Sequence, residues 1–218
     1  MKKFVASVPF QPNLVPVVYT PTDSTSPLVY DQPHDFPILN AVNAYAAEGE
    51  SIEMIILLPV CPEGNNCMKN MPLIRSQIQT LTEAKHLDCT INVLTYDDSE
   101  EIEVMLRLYG DLLSHLNDND EVYFCVTYGT KPVPLVQMMA LRYAFHARSN
   151  LFVGAIVYGK LHGSVRNPEG GDLFDVTSLF YMEELSESFW RMGISDPEEK
   201  MKAFMLSERE GKEDDPSE

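Results

Sequence analysis

The sequence predicts an α/β fold: a doubly wound, mostly parallel sheet with a C-terminal helical extension. Three observations predict it. Strand-like and helix-like segments alternate along most of the chain. The strand-like segments are near-continuous apolar runs, such as "IEMIILLPV" at 52–60, the pattern of strands covered on both faces. Turn-forming and polar residues collect at the ends of these runs, as in "VTYGTKPVP" at 126–134, where parallel sheets bind ligands.

The elements follow in order. "KFVASVP", 3–9, reads as the first strand, and a long Pro/Thr/Ser loop follows it. From Asp35 to Ala47 the apolar spacing turns helical through Phe36, Leu39, Val42, Tyr45 and Ala46. The run 52–60 is the second strand. The "CPEGNNC" loop then leads to a helix over 72–86, with Leu73, Ile74, Ile78 and Leu81 in phase. "CTINVLTY", 89–96, is the third strand. Asp97, Asp98 and Ser99 are capping residues for a helix through Leu116, which carries Ile102, Met105, Leu106, Tyr109, Leu112 and Leu113 on one stripe. "EVYFCVT", 121–127, is the fourth strand, and a helix from about Pro132 to Arg148 leads to the fifth, "LFVGAIVYG" at 151–159. A turn-rich excursion then precedes a short antiparallel strand at 172–177 and a helix at 178–193. The domain reading is 1–176 for the sheet domain, 177–206 for C-terminal helices packed on it or on a dimer interface, and 207–218 for an acidic disordered tail.

Composition narrows the function. The chain has 218 residues, 44% of them apolar, enough for a real core. Its formal net charge is −17, which argues against duplex nucleic acid, whose phosphates need a basic face. A small anion in one local pocket is compatible with it. No stretch approaches the roughly 20 apolar residues of a membrane span. The N-terminal apolar run is broken by Pro9, Gln11 and Pro12, unlike a signal peptide, so the expected location is the cytoplasm. Cys89 and Cys125 fall inside strands as small hydrophobes, and Cys61 and Cys67, without a second pair at zinc spacing, read as free thiols. No metal site and no cofactor are expected, and the G-x-G-x-x-G, Walker and G-x-S-x-G patterns do not occur.

The stretch at the end of the fourth strand is the candidate site. Gly129 permits a sharp turn or a close approach of a ligand to the backbone. A helix start offers unpaired N–H groups and a partial positive charge. Lys131 adds a full charge, and Thr127 and Thr130 add hydroxyls. Local chemistry supports a small-anion site and a merely capped, solvated turn equally.

"FCVTYGTKPVPLVQMMALRYA", 124–144, resembles the strand–turn–helix segment "D-[IL]-T-H-G-[FY]-R-x-x-P" of the CRISPR-associated Rossmann-fold (CARF) proteins. "KFVASVPF", "SEEIEVMLRLYGDLL", "GAIVYGKL" and "DLFDVTSLFYMEEL" are similar to that family's first strand, third helix, fifth strand and following segment. The resemblance covers roughly 1–192. The family's motif His is Tyr128 here, its Arg is Lys131, and its aromatic after the glycine is Thr130. Most members continue into an effector domain, for which this chain has no room.

The resemblance implies a Rossmann-like homodimer that binds a cyclic oligoadenylate, cyclic tetra- or hexa-adenylate, across its two-fold axis in type III CRISPR defence. Stand-alone members that cleave the ring are ring nucleases, giving 2′,3′-cyclic phosphate products without a metal. The alternative is a non-catalytic sensor, sponge or regulatory subunit. On this reading Lys131 and Thr130 are catalytic, and Ser7, Gln11, Thr127, Tyr128, Gly129, Tyr158, Gly159 and Lys160 bind the ligand, with Tyr128 stacking on a base. Each has an ordinary reading as well: Ser7 a small buried residue, Gln11 a solvated loop residue, Tyr158 packing, Lys160 a surface lysine. Of the five histidines, His34 and His162 lie in loops that approach the same end of the sheet.

Overall fold

The computed structural model describes residues 1–203 apart from 165, 166, 195 and 197. The elements are β1 (Lys2–Ser7), β2 (Tyr19–Pro21), α1 (Ile38–Tyr45), β3 (Ser51–Val60), α2 (Asn66–Ala84) and β4 (Asp88–Asp97). They continue with α3 (Ile102–Ser114), β5 (Glu121–Cys125), α4 (Pro132–Ala147), β6 (Phe152–Ser164), β7 (Asn167–Asp175) and α5 (Thr177–Arg191). The strands form one seven-stranded sheet in the order β2-β7-β6-β5-β1-β3-β4. Every pairing is parallel except β6 with β7.

From β1 the chain steps outward to β3 and β4, then returns to the other flank of β1 with β5 and β6. The sheet is therefore doubly wound, and its direction reverses at the ends of β1 and β5. Alternate residues divide the core. Phe4 and Ala6 of β1, Met54 and Ile56 of β3, and Tyr123 and Cys125 of β5 share one cluster with Ile38 and Leu39 of α1 and Ile74 and Ile78 of α2. Val5, Ile55, Leu57, Val122 and Phe124 are buried outside that cluster, on the opposite face.

Burial explains the apolar runs. β1 and β3 have neighbours on both edges, and Phe4, Val5, Ala6, Met54, Ile55, Ile56 and Leu57 are all fully buried. Burying one such large aliphatic side chain contributes about 1.5–3 kcal/mol. β4 has a neighbour on one edge only, and most of its residues are exposed or half-buried.

The three central strands are locked by a buried charge. Lys3 is 2% exposed, and its Nζ lies 3.2 Å from Glu53 Oε2 and 2.9 Å from Asp120 Oδ2. It also donates to the His115 carbonyl at 2.5 Å. Glu53 Oε1 accepts from Asn92 Nδ2 at 2.8 Å, and Asp120 Oδ2 accepts from the Asn117 N–H at 2.7 Å. The cluster joins β1, β3, β4 and the turn into β5.

Several boundaries differ from the sequence reading. α2 begins at Asn66 rather than near Pro72, because Asn65 caps it by accepting from the Met68 N–H at 2.9 Å. Pro72 then sits inside the helix. The Ser99 hydroxyl accepts from the Glu101 N–H, but Glu101 is the residue that precedes α3, and Asp97 closes β4. The loop after the first strand contributes β2, paired with β7. The turn-rich excursion is a hairpin: β6 runs on to Ser164 and β7 covers Asn167–Asp175.

The chain divides into two compact units, residues 1–175 and a unit that begins at Val176. In the second, α5 carries an i,i+4 ion pair between Glu187 and Arg191, and residues 198–203 are helical. The acidic tail at 207–218 lies outside the described residues. No described helix is long and apolar enough to cross a membrane.

Lys3→Met keeps the stem of the side chain and removes the buried cation shared by Glu53 and Asp120, leaving Asp120 with the N-terminal ammonium at 3.4 Å and Glu53 with His115 Nδ1 at 3.2 Å. We expect it to lower the unfolding free energy by about 3–5 kcal/mol, measured by urea denaturation. A loss below about 1 kcal/mol, the scale of an exposed pair, contradicts the role assigned to this cluster.

Candidate functional site

β1 ends at Ser7 beside Leu57 of β3, and the Val8 N–H still bonds the Leu57 carbonyl at 3.1 Å. The segment after it is clamped by the first turns of α2. Asn70 Nδ2 donates to the carbonyls of Pro9 at 2.8 Å and Gln11 at 2.9 Å, and Asn66 Nδ2 donates to that of Phe10 at 3.1 Å. The Cys67 thiol lies 3.4 Å from the Val8 and Pro9 carbonyls, and burial pushes its pKa up to about 12. Cys67 is thus a packing residue, free of any disulfide like the other three cysteines. These clamps were not legible once the helix was expected to start at 72. The Asn65–Asn66 pair ahead of an apolar period was the signal for an earlier cap.

The 127–131 turn crowns β5, and it sorts the expected residues into two groups. Three of them are structural. Thr127 Oγ1 accepts from the Gly159 N–H at 2.8 Å and lies 3.1 Å from Cys125 Sγ, so it ties the ends of β5 and β6 together. Gly159 packs tightly: a Cβ there would lie 2.6 Å from Pro37 Cγ and 2.9 Å from Tyr19 Cε1. Tyr128 is 8% exposed, and its hydroxyl donates to the Asp35 carbonyl at 3.1 Å and sits 3.3 Å from the Tyr19 hydroxyl. Its ring faces the core and offers no free face to a base, which corrects the stacking role expected for it. Burial raises the pKa of both phenols, that of Tyr19 to about 12.

The second group carries polar atoms without partners among the described residues. Gly129 has φ +110°, and a Cβ there would lie 2.9 Å from Val133 Cβ and 3.4 Å from Ser7 Oγ, so only glycine brings this backbone against Ser7. Ser7 is 1% exposed, and its Oγ has no hydrogen-bond partner among the described residues. Thr130 Oγ1 and Gln11 Oε1 are likewise buried and unpartnered. A buried polar atom left unpaired costs about 1–3 kcal/mol, so each of these three, at the end of β1 and in the loops after β1 and β5, calls for a hydrogen-bonding partner such as water or a ligand.

The helix start differs from the expectation. Pro132 and Pro134 have no N–H, and the Val133 N–H bonds the Thr130 carbonyl at 2.9 Å. The first turn of α4 therefore offers few donors. The free donors lie just before it: the N–H groups of Gly129, Thr130 and Lys131 bond no acceptor among the described residues. Successive backbone N–H groups around a left-handed glycine form an anion-binding concavity. Lys131 follows them, exposed and without an ion-pair partner among the described residues.

The registers carry the site further along one face. Val5 pairs with Phe124 and Phe124 with Ile156, so Ser7 shares a face of the sheet with Tyr158, Lys160 and His162. Tyr158 is 41% exposed, 6.1 Å from the Phe174 ring, and Lys160 is exposed. His162 pairs with Asp172, Nε2 to Oδ2 at 2.8 Å, a partner missed because this segment was expected to be loop. The alternation Tyr-x-Lys-x-His from 158 was the signal that the strand continues. His34 is 1% exposed, with its ring between Tyr19 and Tyr30 and its Nδ1 2.8 Å from the Gln32 carbonyl. Burial lowers its pKa, whereas burial raises that of its neighbour Asp35, whose Oδ2 accepts from Gln77 Nε2 at 2.7 Å.

No protein-family model matches this chain, and no curated protein matches it.

Two predictions follow from these contacts. Thr127→Val keeps the shape of the side chain and strands the Gly159 N–H, so we expect a stability loss of about 1–3 kcal/mol in urea denaturation. His34 behaves oppositely to a partnered histidine. Its folded pKa lies below the unfolded value of about 6.5, so below that pH the unfolded chain takes up the proton first and stability falls. Thermal midpoints should therefore drop from pH 7 to 5.5, and more steeply in the parent than in His34→Gln. Equal slopes exclude His34 as the source.

Proposed function

We propose that this protein is a homodimeric receptor for a cyclic oligoadenylate, with the phosphate held by the 127–131 turn, and that it cleaves the ring without a metal. The observation that carries the reading is the meeting of buried, unpartnered polar atoms with unpaired backbone donors at the sheet's reversal point. Ser7 Oγ lies at the end of β1, and Gln11 Oε1, Thr130 Oγ1 and the N–H groups of Gly129, Thr130 and Lys131 lie in the loops after β1 and β5. Lys131 brings the only cationic side chain in the turn. On a chain of net charge −17, such a turn suits one compact anion rather than a long duplex.

The reaction is an internal transfer. The ribose 2′-oxygen attacks the adjacent 3′-phosphorus in line, and the bond from phosphorus to the 5′-oxygen breaks. The 2′-hydroxyl proton passes to water, and the leaving oxygen takes a proton back. The products are a 2′,3′-cyclic phosphate and a 5′-hydroxyl. The protein's work is to hold this geometry and to meet the charge that grows on the phosphoryl oxygens. Lys131, Thr130 and the loop N–H groups supply that charge complement, and Ser7 orients the phosphate against Gly129.

A second copy is supported by an exposed apolar stripe. Leu135, Met139 and Tyr143 recur at i,i+4 on α4 and are each more than half exposed, beside Ile102 and Leu106 of α3. Such a stripe on paired helices suits a self-complementary interface. One observation favours binding without turnover: the prolines that open α4 remove two of the donors that would meet a developing charge. A non-catalytic sensor is the reading that this supports.

Chromatography of cyclic tetra- and hexa-adenylate incubated with the protein separates the two. We expect a linear product bearing a 2′,3′-cyclic phosphate, and intact ring after hours with protein in molar excess would leave only the binding role. Lys131→Ala should weaken binding at least about tenfold, the size of a lost charged hydrogen bond. Unchanged affinity would place the phosphate elsewhere.

A further inference from the structure

The sheet has two outer edges, and they are finished differently. At one, β2 is three residues long and ends in Pro21, the short, proline-bearing kind of strand that discourages further pairing. At the other, β4 runs for ten residues, Asp88–Asp97. Its register with β3 is unbroken over the whole strand, without the shifts found in the β5–β6 and β6–β7 pairings. Between its terminal acids, "CTINVLTY" carries no charge, no proline and no glycine. Charge, proline and bulge, the usual devices that blunt an edge strand, are all missing from its middle.

The ladder fixes which backbone groups face out. The Asp88 N–H bonds the Glu50 carbonyl at 3.0 Å, and the Asp98 N–H bonds the Val60 carbonyl at 2.9 Å. In a parallel pair, alternate residues turn both backbone groups to the same neighbour. The even-numbered residues of β4 therefore serve β3, while Cys89, Ile91, Val93 and Thr95 turn their N–H and C=O groups outward. No strand pairs with them among the described residues. The side chains of Cys89, Ile91 and Val93 pack against the core, which holds this edge in place.

A cleft of about 280 Å³ lies at the carboxyl end of the same edge. Thr95 and Asp97 of β4 line it with Val104, Arg107, Leu108 and Asp111 of α3. Among these Arg107 is the one base, and it pairs with Asp97 at 3.4 Å. Asp111 is exposed, with no ion-pair partner among the described residues. A strand added to a free edge gains affinity from backbone hydrogen bonds and selectivity from pockets that take its alternate side chains.

Charge selects the occupant. Asp88 and Asp97 stand exposed at the two ends of the edge, and Asp98, Glu100, Glu101 and Glu103, all exposed, follow. Two copies of β4 paired antiparallel at mid-strand would set Asp88 against Asp97, acid on acid. The net charge of −17 adds to that repulsion. A segment with basic ends meets the same acids favourably.

We propose that the free edge of β4 takes up an extended segment of a second protein as a further strand of the sheet. The segment is uncharged in its middle and carries Lys or Arg at its ends, one of these cations resting in the cleft at Asp111. This docking is independent of what the 127–131 turn binds.

The probe is a blocked peptide of alternating Thr and Val with Lys at each end, long enough to span 88–97. Proton–nitrogen correlation spectra of the full chain during its titration should show shifts at the amides of Cys89, Ile91, Val93 and Thr95. Exchange at those four should slow at least about tenfold, while Thr90, Asn92 and Leu94, already bonded to β3, change little. Thr95→Pro removes an outward donor and no bond to β3, so it should weaken the peptide about tenfold while amides away from the edge stay unmoved. Asp111→Asn, at an exposed position, should weaken it by a similar factor. A peptide with Glu in place of both Lys should not bind. Shifts that are absent or scattered, equal binding of the Glu peptide, or indifference to both variants overturn the proposal. So does a dimer in sedimentation that Thr95→Pro dissociates, because the edge then belongs to a second copy.

Discussion

The buried ammonium of Lys3 is the constraint on which the rest of the sheet depends. A cation taken out of water is tolerated only with its counter-charges in place, and Glu53 and Asp120 supply them from β3 and from the turn into β5. A slip of β1 by one residue would turn Lys3 onto the opposite face, among Phe4, Tyr123 and Tyr45. Only one register of the three central strands is therefore affordable. That register sets Ser7 beside Leu57 and against Gly129 at the other end of the same strand. A structural interaction at the bottom of the sheet thus fixes a candidate ligand contact at its top.

The carboxyl end of the sheet divides its work between neighbours in sequence. Thr127 and Tyr128 face inward and spend their hydroxyls on Gly159 and Asp35. The backbone N–H groups of Gly129, Thr130 and Lys131 bond no acceptor among the described residues. The first pair makes the second trio rigid, which is how a turn gains the geometric definition of the strands that carry it. Gly159 belongs to the supporting set as well, because it lets Tyr19 and Pro37 close over β6.

Much of this was legible in the sequence, and the exceptions have physical causes. Strands buried on both faces announce themselves as apolar runs, so β1, β3, β5 and the paired part of β6 were visible. β2 was not, since three residues held by one neighbour carry no period. β6 beyond Gly159 was misread because a ribbon exposed on one face alternates Lys and His with Leu and Gly, and its glycines imitate turns. Pro72 was read as a helix start, although it is tolerated inside α2 because Asn65 caps the helix upstream. The 127–131 turn was found by its residue types. Which of its hydroxyls remain free depends on long-range partners such as Gly159 and Asp35, and no local pattern encodes those.

The hairpin makes β6 an uneven strand. From Phe152 to Val157 it is flanked by β5, whereas from Tyr158 onward its ladder is shared with β7 alone. β7 is backed in turn by only the three residues of β2. A two-stranded ribbon is marginal by itself and twists more strongly than a wide sheet, and the register shift at Gly163 loosens it further. Local opening should therefore cost less toward its far end. Amide exchange then rises along one continuous strand, slow where β5 joins it to the wide sheet and fast where His162 meets Asp172.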